Sequence, residues 1–426
     1  MKYRSLNQPT TWRTFGQALR EGLAPNNGLY VPERIPVLPQ GFIDNTTLQE
    51  IGFTMMLPLV GNDLSKAQVH SIVEDALDFE IPLIGLKPGL SLLELFHGPT
   101  AAFKDVGARM MSRFLQHVSS ERLTVLVATS GDTGSAVAQG FLDVDGIDVV
   151  ILYPSGRISH IQEQQLTTVG RNVSALEIAG SFDDCQAMVK SAFQDDELQR
   201  FRPLTSANSI NIGRWLPQSI YYAWAAAQTD RAPRFVIPSG NFGNAAAGKL
   251  AQKMGVPKAS FVAAVNVNRT MQDYLRSGYY DAKASVQTIS NAMDVGDPSN
   301  RPRLEWLYSG SFTEMKQHFA VLSVDDESTK RAMQEVSEQC DVLVCPHTAV
   351  GIHAAENIGL TGDEDHDTIV LATAHAAKFG DVVRETTGKE PQIPESLRGC
   401  LNKTKQSIGL PATYDALKAY LMESRL

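Results

Sequence analysis

The sequence has no basic run and no long apolar run, and these absences exclude whole classes of partner. Its 426 residues include 38 Lys and Arg against 47 Asp and Glu, which gives a net charge of −9. An acidic chain without a basic patch is poorly suited to nucleic acid or to an anionic membrane surface. No window approaches the roughly 18 apolar residues of a membrane-spanning helix. We therefore expect no nucleic-acid partner and no membrane partner.

Cysteine is also scarce. The four cysteines are too few and too scattered for a disulfide framework in a chain of this length. They are Cys185, Cys340, Cys345 and Cys400. The first residues, MKYRSLNQPTTWRTF, contain no apolar stretch of the kind found in secretory signals. Both observations favour a reducing compartment, and we expect a cytoplasmic protein.

The chain lacks a metal-binding spacing. Cys345 and His347 are close in sequence, and His353 and His375 lie further on. No structural zinc pattern has this arrangement. We interpret these residues as a buried thiol and hydrogen-bonded histidines, and we predict no bound metal.

The composition that remains is ordinary for a folded protein, with 43% hydrophobic and 20% charged residues. The length exceeds the roughly 250 to 300 residues at which one hydrophobic core usually divides. We expect four segments: an N-terminal module (1–90), a smaller α/β domain (91–230), a larger α/β domain (231–395) and a C-terminal helical extension (396–426).

Short apolar runs alternate with helical stretches from Leu123 onwards. The runs are 123–129, 148–154, 173–180, 234–240, 260–268, 341–345 and 368–374. Continuous apolar strands followed by helices are typical of parallel sheets covered on both faces. We predict two α/β domains with parallel or mixed sheets and helices on both faces, plus a small N-terminal module. Ligands of such sheets bind beyond the carboxyl ends of the strands, so the turns there are candidate sites.

Lys104 stands in the segment ELFHGPTAAFKDVGAR, shortly after the turn signal Gly98-Pro99. An amine becomes a nucleophile towards carbonyls when an apolar pocket or nearby positive charge lowers its pKa from about 10.4. We interpret Lys104 as the carrier of a cofactor bound as a Schiff base. The alternative is an exposed lysine, the usual fate of this residue type. We expect Asp105 to be a surface or helix N-cap carboxylate.

A glycine-rich turn follows the run at 234–240. Converging backbone N–H groups and a helix N-terminus make such a turn a phosphate cradle, although a turn without a ligand would have the same sequence. The candidate residues are Gly240, Asn241, Phe242, Gly243 and Asn244. The segment 243–250 nearly matches a nucleotide P-loop, but Leu250 stands where Ser or Thr must bind Mg²⁺. The glycine spacing of dinucleotide-binding folds is absent too. A phosphate monoester fits better than ATP or NAD.

Three further strand-end segments carry polar residues. The turn TSGDTG at 129–134 could accept a carboxylate, or serve only as a helix cap. Thr373 could hydrogen-bond an aromatic nitrogen, or simply close a β-strand. The segment 208–214 could bind an anion, as could Arg157, although a surface salt bridge is the simpler role for each arginine. We predict that substrate contacts come from Thr100, Ser130, Thr133, Arg109, Arg157, Asn208, Asn211 and Arg214.

Taken together, these segments resemble the threonine synthase family, whose members are pyridoxal-phosphate enzymes of fold type II, the tryptophan synthase β-like fold. The resemblance rests on LELFHGPTAAFKD, ATSGDTG, TSANSINIGR, PSGNFGN and LATAHAAKF, in this order. The opening RSLN and GLYVPERIP are similar to the N-terminal domain of the longer bacterial and fungal branch.

The resemblance implies a role for each strand-end site. Lys104 would anchor pyridoxal phosphate, 240–244 would hold its phosphate, and Thr373 would face the ring nitrogen. Asp132 departs from the shorter branch, which has Asn beside the 3′ oxygen of the cofactor. Two anionic oxygens there would repel each other unless they shared a proton.

The implied reaction converts O-phospho-L-homoserine and water to L-threonine and phosphate, with Lys104 moving protons. A phospho-lyase or dehydratase that releases 2-oxobutyrate would share the chemistry. A catalytically inactive binding protein is a third possibility, which the retention of Lys104, Thr373 and the Gly240 turn disfavours. We expect a monomer or a homodimer.

Overall fold

The described part of the chain contains three β-sheets. The computed structural model describes residues 1–24, 27–129, 131–257, 259–359 and 365–424, so the predicted site residue Ser130 lies outside the described residues. The strands are β1 (Lys2–Ser5), β2 (Trp12–Thr14), β3 (Tyr30–Pro32), β4 (Leu83–Lys87), β5 (Leu90–Glu94), β6 (Leu123–Ala128), β7 (Ile147–Pro154), β8 (Val173–Ala179), β9 (Leu204–Thr205), β10 (Ala232–Pro238), β11 (Ser260–Val265), β12 (Phe319–Ser323), β13 (His366–Ala372) and β14 (Ile408–Pro411).

Helices connect and cover these strands. They are α1 (Phe15–Glu21), α2 (Leu48–Val60), α3 (Lys66–Ala76), α4 (Lys104–Val118), α5 (Asp132–Gly140), α6 (His160–Thr167), α7 (Phe182–Gln194), α8 (Asp196–Phe201), α9 (Ile212–Trp215), α10 (Ser219–Ala227), α11 (Gly243–Met254), α12 (Thr270–Ser277), α13 (Arg301–Leu307), α14 (Phe312–His318), α15 (Asp326–Gln339), α16 (Pro346–Asn357), α17 (Gly380–Thr387), α18 (Glu395–Leu401) and α19 (Tyr414–Glu423). No helix in this described part is long and apolar enough to cross a membrane.

The predicted small N-terminal module is present. Strands β2, β1 and β3 form an antiparallel sheet, and α1, α2 and α3 follow in the same part of the chain. Each helix begins at a capping box. The side chain of Thr14, Thr47 or Ser65 accepts from the backbone N–H of the third helical residue, and the side chain of that third residue accepts from the backbone N–H of the capping residue. Such caps stabilise a helix by about 1 kcal/mol each, so these local sequences define where the helices start.

The two larger sheets confirm the predicted α/β class. Strands β14, β8, β7, β6 and β9, in this order, form a wholly parallel sheet. Strands β12, β11, β10, β13, β5 and β4 form the other, which is parallel except for the antiparallel edge strand β4. All eight residues of β7 are buried, as expected for a strand covered on both faces.

One predicted strand is wrong. Residues 341–345 form no regular strand, and Asp341 has a left-handed backbone with φ of 53°. The place beside β11 is taken by β12, which the sequence analysis missed, and β13 already has β10 and β5 as neighbours. The apolar residues of 341–345 therefore pack without pairing in the sheet.

Sheet membership does not follow the chain continuously. Strand β5 lies in the six-stranded sheet with β10 to β13, although it spans the expected boundary at residue 91. Strand β14 extends the five-stranded sheet by pairing with β8, so the segment after 396 contributes more than helices. The division into an N-terminal module, two α/β units and a C-terminal extension remains our proposal.

Arg303, on helix α13, joins the N-terminal module to the segment that precedes helix α9. Its guanidinium donates to the carbonyl oxygens of Tyr30 at 3.2 Å, Ser209 at 2.9 Å and Ile210 at 2.5 Å. It also lies 4.4 Å from the centre of the Trp215 ring. The Arg303 side chain is fully buried, and its acceptors are buried at Tyr30 and partly buried at Ser209 and Ile210, so water has limited access to replace it.

We predict that Arg303→Ala lowers the free energy of unfolding by roughly 3 kcal/mol, because one buried and two partly buried carbonyl groups lose their donor. Urea denaturation followed by circular dichroism measures this. The matched control is Arg276→Ala, which removes an arginine whose side chain is 78% exposed and pairs with Asp273 at 3.4 Å. The control should change stability by less than about 0.5 kcal/mol. Equal effects of the two substitutions would contradict this role for Arg303.

Candidate active site

A cavity of about 620 Å³ lies at the carboxyl ends of strands from both larger sheets. Ala128 and Pro154 reach it at the ends of β6 and β7, and Pro238 reaches it at the end of β10. The predicted residues that line it are Lys104, Asp132, Thr133, Arg157, Asn208, Arg214, Gly240, Asn241, Phe242, Gly243, Asn244 and Thr373. Segments far apart in sequence thus meet at the edge where α/β sheets bind ligands.

Lys104 is the first residue of α4, and its loop is fastened to the end of β13. The backbone N–H of Phe103 donates to the Thr373 carbonyl at 2.9 Å, and that of His375 donates to the Ala101 carbonyl at 3.1 Å. Ala101 has a left-handed backbone with φ of 54°. These bonds fix where the lysine side chain enters the cavity.

Burial lowers the pKa of Lys104 to about 8. The carboxylate of Asp132 opposes this shift, while the cations Arg214 and Lys378 add to it. A lysine of ordinary pKa is almost entirely an ammonium at neutral pH. Lys104 therefore has a much larger fraction of the reactive amine, as nucleophilic chemistry at a carbonyl requires.

The glycine-rich turn leads into α11 and has the features of a phosphate cradle. A Cβ added to Gly240 would lie 2.9 Å from the Met293 Cα, so no side chain fits there. Phe242, just before the helix, has a left-handed backbone with φ of 58°. The turn therefore brings bare backbone and a helix N-terminus to one end of the cavity.

Asn244 provides an independent sign that a polar group belongs at this end. Its side-chain oxygen accepts from the hydroxyls of Tyr221 at 2.6 Å and Tyr222 at 2.7 Å. Its side-chain N–H₂ is buried and has no hydrogen-bond partner in the described structure. A buried donor of this kind is costly unless a ligand accepts from it. The residues present therefore fit the phosphate of a bound cofactor.

The Asp132 carboxylate has a cationic partner, Lys378, which its sequence context did not predict. Its Oδ1 is 2.9 Å from the Lys378 ammonium and accepts from Gln162 Nε2 at 2.8 Å. Burial acts to raise the pKa of Asp132, but Lys378 and Lys104 outweigh it and hold the pKa well below its ordinary value. The negative charge is thus balanced by a neighbouring cation, and no shared proton is needed.

Arg214 and Asn208 form a polar side of the cavity. Arg214 is 3% exposed and donates to the Ala207 carbonyl at 2.5 Å, so it is not a surface salt bridge. Its Nε and the Asn208 side-chain oxygen are buried and lack partners among the residues described. Arg157 also lines the cavity and is exposed to solvent. A buried guanidinium with a spare donor is suited to an anionic group.

Three predicted substrate-binding residues are not among those lining the cavity. Thr100 donates from its backbone and hydroxyl to the Asp105 carboxylate, at 2.9 and 2.5 Å. Arg109 bonds the Ala76 carbonyl at 3.0 Å and tethers α4 to the end of α3. Asn211 caps α9 and donates to the Leu19 carbonyl at 2.9 Å. Their polar groups hold backbone segments in place.

The expectation for Asp105 is wrong. Its side chain is 1% exposed, where a surface or helix-cap carboxylate was expected. A Cβ on Gly98 would lie 2.6 Å from its Oδ2, so the carboxylate packs against the turn that precedes Lys104. Asp105 therefore shapes the lysine loop from within.

His347 also lines the cavity, although nothing in its sequence context marked it as a site residue. His347 Nε2 accepts from the Ala292 backbone N–H at 3.1 Å, so the other ring nitrogen carries the proton. Burial lowers the pKa of His347 to about 4, which keeps the ring neutral. Only proximity in the folded chain reveals this residue, because its sequence context predicts an ordinary buried histidine. Within the described ranges, no cluster of three metal-ligating side chains occurs.

Comparisons with known proteins agree with this geometry. A family model described as pyridoxal-phosphate dependent enzyme matches residues 83–373. Models described as threonine synthase N terminus and threonine synthase, C-terminal match 2–77 and 348–421. Fold and cavity together define a pyridoxal-phosphate-dependent enzyme.

Two relatives match this chain along nearly their whole length, and they identify the family within this class of enzymes. Threonine synthase of Serratia marcescens is 39% identical, covering 99% of each chain, and that of Escherichia coli is 38% identical with the same coverage. The chain belongs to the threonine synthase family.

Solved structures are similar in the same way. The crystal structure of threonine synthase from Escherichia coli has a TM-score of 0.93, at 38% identity over 99% of both chains. The structure of pyridoxal-phosphate-bound threonine synthase from Brucella melitensis has a TM-score of 0.94, at 33% identity over 100% of both chains. Maize serine racemase, 17% identical with a TM-score of 0.56 over 72% of this chain and 92% of its own, shares the fold alone.

We predict that Gly240→Ala weakens pyridoxal phosphate binding by at least about tenfold, or 1.4 kcal/mol, because the new methyl group must displace the backbone at Met293. Absorbance titration of the cofactor-free protein measures the affinity. Gly399→Ala is the control, since a Cβ there meets nothing within 4 Å. Unchanged affinity in the Gly240 variant would contradict the cradle.

Proposed function

We propose that this chain converts O-phospho-L-homoserine and water to L-threonine and phosphate, using pyridoxal phosphate attached to Lys104. The observation that carries the proposal is that one cavity contains a lysine of lowered pKa, the glycine-rich turn suited to a phosphate, and the guanidinium of Arg214. This combination suits an amino-acid substrate that bears a phosphate. Membership of the family supports the same reaction.

Four groups of residues would hold the cofactor. Lys104 would bind it covalently, and the turn 240–244 with the start of α11 would accept its phosphate. The Thr373 hydroxyl would face the ring nitrogen, and Asp132 would lie beside the ring oxygen. When bound, pyridoxal phosphate acts as an electron sink for negative charge that develops on the substrate carbons.

Lys104 would then carry protons. Displaced by the amino group of the substrate, its amine can take the proton from Cα and later act at Cβ. A pKa of about 8 lies near the working pH, where a group both accepts and returns protons efficiently. The Thr373 hydroxyl is a neutral partner for the ring, so more of the rate must come from the position of Lys104.

The substrate phosphate would bind on the side formed by Arg214 and Asn208, with Thr133 and Arg157 nearer the opening. The Arg214 guanidinium is buried, and its Nε has no partner among the described residues. Such a group stabilises the negative charge of a departing phosphate. A bound substrate that fills the cavity would exclude water until the addition step. Ser130 stays a predicted contact.

The location and assembly of the enzyme complete the proposal. We infer a cytoplasmic enzyme, because its four cysteines are all free, as is usual in a reducing compartment. The inferred assembly is a monomer or a homodimer.

We predict that Lys104→Ala lowers turnover of O-phosphohomoserine by at least about a thousandfold while the fold is retained, because the variant lacks both anchor and proton carrier. Coupled release of phosphate and of threonine measures the rate. Lys253→Ala is the control, since Lys253 is an exposed lysine of α11 and does not line the cavity.

The products decide between the possible reactions. Release of threonine and phosphate in equal amounts is expected from the unmodified enzyme. Release of 2-oxobutyrate in place of threonine would reject the proposal in favour of a phospho-lyase. Activity of the Lys104 variant near that of the control would reject the role of the lysine.

A further inference from the structure

Lys378 is buried beside the reacting lysine, and the proposed reaction gives it no task. It lies in the short helical segment Ala376–Phe379 that follows β13, and its side chain is among the largest that are fully buried. Its ammonium donates to the Thr100 carbonyl at 2.8 Å and pairs with Asp132 at 2.9 Å. A buried lysine is rare and requires compensation of its charge.

Three charged groups and one neutral titratable group surround Lys104, each on a different element. Asp132 is the first residue of α5, Arg214 belongs to α9, Lys378 follows β13, and His347 lies on α16. His347 is neutral because burial lowers its pKa to about 4. The carboxylate of Asp132 favours the protonated form of Lys104, whereas both cations disfavour it. The state of Lys104 thus depends on which partner Asp132 engages.

A buried carboxylate with no other cation would take the nearest ammonium as its partner. In this cavity that ammonium would be Lys104, which would then be held in the unreactive protonated form. Lys378 prevents this by lying within ion-pair distance of the same carboxylate oxygen that Gln162 also contacts. Asp132 is thereby turned towards Gln162 and Lys378 by two donors from other parts of the chain.

We propose that Lys378 is a positioning residue that engages Asp132, so that the carboxylate stays beside the cofactor site without capturing the Lys104 amine. The pair carries no net charge, and a neutral partner is what the ring oxygen of the cofactor needs. The inference rests on the proposed function, because it takes Lys104 as the cofactor anchor. It assigns to Lys378 a task beyond holding the loop at Thr100.

Four forms of the full chain separate this role from a structural one: the unmodified protein, Lys378→Met, Asp132→Asn and the double variant. After removal of cofactor, the rate at which acetic anhydride acylates Lys104 is followed against pH by peptide mass spectrometry. The midpoint of that curve reports the proton affinity of the Lys104 amine. Circular dichroism shows that each protein is folded.

We expect a midpoint near pH 8 for the unmodified chain. Lys378→Met should move it up by about one pH unit, a tenfold loss of amine at neutral pH, because Asp132 is released towards Lys104. Asp132→Asn should move it down by a similar amount. The double variant should lie close to Asp132→Asn, because the direct repulsion of Lys104 by Lys378 is the smallest of the charge effects on Lys104. Lys378→Arg, which keeps the charge, should leave it within about half a unit.

Lys249→Met is the matched control for the loss of a buried lysine. Lys249 is 8% exposed, contacts Gln252 and the Tyr308 ring, and does not line the cavity. This variant should leave the Lys104 midpoint unchanged.

Equal midpoints for the unmodified chain and Lys378→Met would overturn the proposal. If Lys378→Met does not fold, Asp132→Asn and the double variant decide: a double-variant midpoint about one unit above that of Asp132→Asn would show that Lys378 repels Lys104 directly, and would also overturn the proposal. Failure of the proposed function is a separate result. An unmodified holoenzyme that releases no threonine would reject that function whatever the midpoints are.

Discussion

The hydrogen bond from Phe103 to the Thr373 carbonyl is the contact on which the site depends. It joins the loop of the lysine to the carboxyl end of a central strand of the six-stranded sheet. The same contact places Lys104 and the Thr373 side chain on neighbouring stretches of backbone. Because the sheet is rigid, helix α4 begins at a fixed point of the cavity wall, with Lys104 as its first residue. The fold therefore sets the distance between the Lys104 amine and the Thr373 hydroxyl.

Burial alone would not keep the Lys104 amine in its reactive, unprotonated form. Desolvation lowers the pKa of the amine, but a carboxylate in the same cavity acts against this effect. The structure resolves the conflict by supplying Asp132 with its own cation, Lys378, and its own amide donor, Gln162. The cost of burying the second lysine is offset by its ion pair and by the Thr100 carbonyl. Both interactions depend on residues far apart in sequence.

Sequence patterns within single segments predicted the strands and the turns that follow them, because these depend on neighbouring residues. Apolar runs followed by turns located β6, β7, β8, β10, β11 and β13, and the turns after all of these strands except β11 line one cavity. Side-chain direction was not predictable in this way. Thr100 and Asn211 stand within motifs that resemble a known family, yet the Thr100 hydroxyl donates to the Asp105 carboxylate and the Asn211 amide donates to the Leu19 carbonyl. Asp105 and Lys378 are charged residues whose burial depends on contacts from other elements, which no single segment reveals.

Borohydride reduction of the cofactor-loaded protein, followed by peptide mapping, tests the central claim most directly. One pyridoxyl group should become permanently attached, and peptide mapping should find it on Lys104. Lys378 should remain unmodified although it lies close by, because its ammonium is held by Asp132. A pyridoxyl group on Lys378 or on another lysine, with Lys104 unmodified, would contradict the account.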